Sequence, residues 1–375
     1  MSKKQEVTVY ELFYDLIFAY ALSRIAVVLV VQSDKMFALK NIVEFLMIAL
    51  VFWTIWTYQT VFANRFFEND SSSPLFLLFD MFWVAVLAQT IHENFELTYI
   101  TFAGVTSILF LSIAIQYYLK MHTVEDDETR ILCNQISAIL GLGSVIGFVT
   151  IFPWGRFQLR FTLYALSIII VASFPLIMRK SLQKFPTKFG HLKERFSLLT
   201  LLLFGEAVIT VARTIEYNQI AIESIFFFLL VLLLFLFYHT AYKSGVAEER
   251  ETAGLVWIYS HYFVFTGLGM SSVIYANYIQ GAVQSSYIVL TIGAALLFFF
   301  GGILANVIVY SKHVHDYQPF ILKNSPFFVL WLVISFFTWK IVLLFLGLNL
   351  FFILFLLYKM QRELIQKMDR IDKRE

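Results

Sequence analysis

Charge is what this chain has least of. Asp, Glu, Lys and Arg make up 14% of its 375 residues, where a water-facing domain carries about 25%. So few charges cannot cover a soluble body of this size, and the apolar stretches leave no segment long enough for a separate soluble domain. Cysteine is scarcer still: Cys133 stands alone, which excludes an internal disulfide framework and a cysteine-based zinc site. The 28 basic and 26 acidic residues nearly cancel, to +2, leaving no basis for a nucleic-acid partner. What is abundant is apolar. Hydrophobic residues form 59% of the chain, 42 of them phenylalanine, in runs of about 20 residues, each long enough to cross the hydrocarbon of a bilayer as a helix. The expectation is an all-α integral membrane protein whose first partner is the lipid bilayer.

Apolar runs bounded by charge, Pro, Gly, Ser and Asn predict about twelve transmembrane helices, near 10–32, 41–62, 74–94, 98–120, 130–152, 157–178, 194–216, 219–240, 254–278, 284–311, 325–340 and 341–359. The last two are separated by Lys340 alone and read equally as one bent helix. The first run carries Glu11, Asp15 and Arg24 and has no small-residue cleavage site, so it reads as a membrane helix and not as a removable signal. With the N-terminus placed inside, the even-numbered loops, their helix edges and both tails hold 21 of the 28 lysines and arginines. The positive-inside rule therefore places both termini in the cytoplasm.

A shift of 183 residues lays Glu11 on Glu194 and Phe13 on Phe196, and brings the first six helices close to the second six. The halves 1–183 and 184–375 are thus expected to be two parallel six-helix repeats. Ionisable residues inside a bilayer are costly, so those within the helices are the functional candidates. Glu11 and Asp15 share a helix face four residues apart, where two carboxylates call for a raised pKa on one or a cation between them. Glu206 falls near the middle of the seventh run, and the shift places Arg24 opposite it as a partner. Asp80 and His261 occupy near-equivalent places in the two halves, 181 residues apart. Such a carboxylate and imidazole are the types a proton relay uses, and the types that make plain helix contacts. The glycines Gly141, Gly143 and Gly147, and Gly301 with Gly302, read as small-residue packing surfaces.

No Walker loop, nucleophile elbow or dinucleotide fingerprint is present, so the sequence assigns no catalytic residue, cofactor or metal. Glu125-Asp-Asp-Glu128 reads as a solvated acidic turn. The segments Glu11-Leu-Phe-Tyr-Asp15 and His191-Leu-Lys-Glu194-Arg195-Phe196, the latter leading to Gly205-Glu206, resemble the signatures of the bacterial low temperature requirement A family, as does Ala63-Asn64-Arg65-Phe66. The resemblance covers nearly the whole chain and adds His191, Glu194 and Arg195 to the candidates. It implies a polytopic protein of the bacterial inner (plasma) membrane and supplies no reaction. Glu11-x-Phe13-x-Asp15 is also similar, more distantly, to the first-helix pattern of potassium-permeable channels built from six-helix repeats, though Tyr14 stands in place of their serine. The resulting expectation is a transporter-like protein moving a small solute or proton between its halves. The alternatives are a cation or proton channel, which as a homodimer would surround one pore, and a non-transporting lipid- or partner-binding protein.

Overall fold

The computed structural model describes residues 7–29, 39–66, 73–92, 94–215, 220–246, 251–310, 326–335, 337–338 and 340–371. Among them all extended regular structure is helical: α1 (Val9–Ile25), α2 (Leu39–Phe66), α3 (Ser73–Gln89), α4 (Phe95–Thr123), α5 (Asp127–Ile151), α6 (Phe157–Ile177), α7 (Arg179–Gln183), α8 (Phe189–Ala212), α9 (Ile222–Gly245), α10 (Leu255–Ile279), α11 (Ser285–Tyr310), α12 (Pro326–Ser335) and α13 (Val342–Ile371). A helix occupies every apolar stretch read from the sequence. Eight of them, α2, α4, α5, α6, α8, α9, α11 and α13, are long and apolar enough to cross a membrane. At 17 residues, α1 and α3 fall short of that length, as does α12. The break before Val342 settles the end of the chain as two helices, and the second continues past 359 to Ile371. The rest of the basic tail lies outside the described residues. The short α7 falls where the sequence reads as loop.

The apolar residues explain the surface as well as the core. Leu97, Ile177 and Leu290 are each more than 60% exposed, on helices that would leave such side chains in contact with lipid tails. Several buried Ser and Thr hydroxyls bond within their own helix: Thr54, Thr106, Ser107 and Thr266 each donate to the carbonyl four residues back, as polar residues in apolar helices do.

The chain forms two compact units. The first comprises Met1–Val30, Phe37–Leu202 and Glu248–Ile258, and so holds α1 to α7, most of α8 and the start of α10. In it α4 and α5 form a hairpin. Asp126 caps α5 by accepting from the Thr129 N–H and hydroxyl at 2.8 and 2.6 Å, and these bonds hold its carboxyl below the usual carboxylate range. The acidic turn is thus a helix cap in water. On the facing sides of the hairpin Gly147 meets Ser107 and Gly143 meets Phe110, whereas Gly141 faces open space.

The second unit comprises Val31–Met36, Leu203–Ala247 and Tyr259–Glu375. Here α10 and α11 cross through reciprocal glycines. A Cβ at Gly267 would collide with the Ala295 carbonyl oxygen, and one at Gly302 would lie 2.5 Å from that of Ser260. Both obstacles are backbone, which cannot rotate away. Gly301, the other half of the sequence pair, has nothing within 4 Å. Gly302→Ala should therefore lower stability by about 1–3 kcal/mol, the usual cost of overpacking, while Gly301→Ala should leave it unchanged. Thermal melts of the two purified variants in detergent check this, and equal melts would mean that the crossing is looser than described.

Candidate functional site

Three helices of the first unit each present polar groups at helical spacing to one buried point: Thr8, Glu11 and Asp15 at and within α1, Trp56 and Asn64 on α2, and His191 and Arg195 on α8. At the entry to α1 a capping box closes. Glu11 N–H donates to Thr8 Oγ1, and Glu11 Oε2 accepts from the Thr8 N–H at 2.9 Å. The other oxygen of Glu11 is thereby turned inward.

Arg195 is 0% exposed, as are Glu11 and Asp15. Its Nη2 donates to Asp15 Oδ1 at 2.5 Å, its Nε to Asp15 Oδ2 at 3.4 Å and its Nη1 to Glu11 Oε1 at 3.3 Å. The flat guanidinium serves both carboxylates at once, which a lysine ammonium cannot do with the same geometry. Its carbon lies 5.5 Å from the Trp56 ring centre, within cation–π range. The Trp56 indole N–H donates to Asp15 Oδ1 at 2.8 Å. Of the two outcomes the spacing of Glu11 and Asp15 allows, a raised pKa on one or a cation between them, the structure places a cation there, Arg195.

His191 Nε2 stands 3.5 Å from Glu11 Oε1, and its Nδ1 lies 3.1 Å from Asn64 Nδ2. Asn64 leaves no freedom in that second contact. Its Oδ1 accepts from the Lys188 N–H and its Nδ2 donates to the Lys188 carbonyl, both at 3.0 Å, so the side of the amide toward His191 is the donor. Nδ1 must then be the accepting nitrogen, and the imidazole proton sits on Nε2, toward Glu11. Next to it, Arg65 Nη2 donates to the Phe185 carbonyl at 2.9 Å. The end of α2 thus holds the backbone that leads into α8.

The other sequence candidates lie apart from this network. Glu194, beside Arg195 in the chain, is exposed. Asp80 is buried on α3 and accepts from Gln116 Nε2 at 3.1 Å, while Gln116 Oε1 accepts from Gln59 Nε2 at 3.0 Å. Arg24 sits in the last turn of α1, its Nε buried without a hydrogen bond. Glu206 has a local partner, since Arg213, just past the end of α8, reaches to 3.9 Å. The pairing of Arg24 with Glu206 would join the two units and remains an expectation. In the second unit His261 is fully buried, with Tyr238 Oη 3.1 Å from its Nε2 and Asn306 Nδ2 3.3 Å from its Nδ1. Trp56, Gln59 and Gln116 are the contributors that sequence reasoning missed. The two glutamines carried a signal, being amides inside apolar runs; Trp56 carried none among seven tryptophans.

The chain belongs to the bacterial low temperature requirement A protein (LtrA) family, whose model matches residues 6–359. No curated protein matches it.

Adjacent residues on α8 give a sharp test of the geometry. Arg195→Met leaves two buried carboxylates without their cation and should cost about 3–5 kcal/mol, and Arg195→Lys should recover only part of that. Glu194→Gln, on the exposed face, should stay within about 0.5 kcal/mol of the parent. Melting temperatures of the three variants decide it, and a tolerated Arg195→Met would remove Arg195 from the centre of the network.

Proposed function

We propose that this LtrA-family membrane protein is transporter-like, moving a proton or a small solute coupled to one, with the Glu11–Arg195–Asp15 network as its working centre. The single observation that carries the reading is the burial of three ionisable side chains and an imidazole on two apolar helices, α1 and α8. Desolvating such charges costs several kcal/mol each, and a buried pair is a poor way to gain stability over apolar packing. Intramembrane ionisable groups are most simply explained by movement of charge. With the His191 proton on Nε2 and the imidazole neutral, two carboxylates face one guanidinium, so the network holds one negative charge in excess. It can accept one proton while Arg195 keeps its paired bonds to Asp15. The commitment of Asp15 to Arg195 and Trp56 weighs for a transporter over a channel, in which the first-helix aspartate would be free to line a pore.

The topology that goes with this reading is twelve crossings as two parallel six-helix repeats, 1–183 and 184–375, in the bacterial inner membrane with both termini cytoplasmic. It is supported by the loop charge and by the 183-residue spacing. Alkaline-phosphatase fusions at Ser2 and Glu375 should be inactive and cytoplasmic reporters active there; a periplasmic signal at either end would remove the even helix count and the parallel repeat together.

Function itself is read in proteoliposomes. Under an imposed pH gradient the parent protein should acidify or alkalinise the lumen faster than empty vesicles, alone or with a co-solute, and Asp15→Asn should lower that rate at least tenfold. A parent protein that leaves the gradient untouched across a solute panel would favour a lipid- or partner-binding role.

A further inference from the structure

Asp80 poses a problem that the charged network does not solve. It lies near the middle of α3, is 0% exposed and makes no ion pair among the described residues. The guanidinium of Arg195 is committed to Asp15 and Glu11. Only neutral groups serve it: Gln116 Nε2 donates to Asp80 Oδ2 and the Ser112 hydroxyl lies beside the carboxylate, while Oδ1 has no hydrogen bond of good geometry. That donor is fixed in direction, because Gln116 Oε1 is occupied by Gln59 Nε2. The groups facing Asp80 from the elements packed on it are Tyr14 on α1 and Ser112 with Gln116 on α4, Ser112 and Gln116 being one helical turn apart. The Tyr14 hydroxyl is also buried without a hydrogen bond. Unmade bonds at one buried polar group cost about 1–3 kcal/mol. Two of them at one buried place, Asp80 Oδ1 and the Tyr14 hydroxyl, on a carboxylate with no ion pair, indicate that something of positive charge belongs there.

We infer that Asp80 is the anionic ligand of a site for one monovalent cation, with the Tyr14 and Ser112 hydroxyl oxygens as its neutral neighbours and Gln59–Gln116 as the brace that orients it. One carboxylate with neutral hard oxygens balances a single positive charge, and no group of three or more His, Cys, Asp and Glu side chains suited to a divalent or transition metal occurs among the described residues. The occupant is Na⁺ or a proton, which compete for the same oxygens. The site deepens the transport reading by naming the coupling ion, yet its occupancy is an equilibrium property that holds whether or not the protein transports.

The test uses purified full-length protein in detergent and follows tryptophan fluorescence on heating. In one series NaCl replaces choline chloride at constant ionic strength and pH 8; in the other pH falls from 8 to 5 in choline alone. An ion that binds the folded state raises the melting temperature. A rise on the order of a few degrees with Na⁺ identifies the metal ion as occupant, and a rise with acid alone identifies the proton. In either case Asp80→Asn should abolish the response. Should that variant fail to fold, Tyr14→Phe and Ser112→Ala keep the carboxylate and should weaken the apparent affinity about tenfold. The inference is overturned if the parent protein responds to neither series, if Asp80→Asn responds as the parent does, or if both hydroxyl variants titrate unchanged. Proton or solute flux is not read here, so a failed transport assay and a failed ion titration remain separate results.

Discussion

The first unit depends on one guanidinium. Glu11 and Asp15 are one turn apart on α1, and without a cation between them the two carboxylates would repel across a medium that screens little. Arg195 comes from α8, almost the whole unit away along the chain, and closes the gap with a planar fork whose face rests on Trp56. The ion pair is therefore also the tertiary contact that ties α1, α2 and α8 together. His191 and Asn64 extend it by fixing where the imidazole proton sits, and the amide's other bonds hold the backbone from which α8 starts. Charge, helix register and chain entry are set by the same few side chains.

The helices were legible because apolar runs are long and charges within them are rare; each stretch read from the sequence holds one. Crossing number is a harder question. α1 is 17 residues and carries its arginine in the last turn, so its apolar length overstates its helical length, and α10 is long but broken by polar residues. The site was half legible. Glu11, Asp15 and Asp80 stand out as charges in apolar surroundings, Arg195 entered through the family resemblance, and the spacing of the first two called for a raised pKa or a cation between them. Which cation could not follow, since partner choice depends on which helices pack together. The repeat alignment pointed to Arg24 for Glu206, a pairing between the two units.

Glu194 and Arg195 show what helix phase adds to a motif. Leu192, Phe196, Leu199 and Leu203 are buried along one stripe of α8, and Arg195 falls within it. Glu194 falls with Leu201 on the exposed side. A motif names both residues equally, and the surrounding leucines separate them. In unit two the same logic distinguishes Gly302 from Gly301.

The clamp between Asn64 and Lys188 has a bearing on which substitutions this protein can absorb. Both of its bonds are made to the peptide groups of position 188 and none to the atoms that distinguish lysine from other residues, so the clamp is blind to the side chain there. Any amino acid with an N–H can fill its half, and proline alone is barred. Position 64 has the opposite character: an acceptor oxygen, a donor nitrogen and a reach of one methylene must coincide, and among the common side chains asparagine alone supplies them. Within this contact the side chain matters at 64 and the backbone at 188.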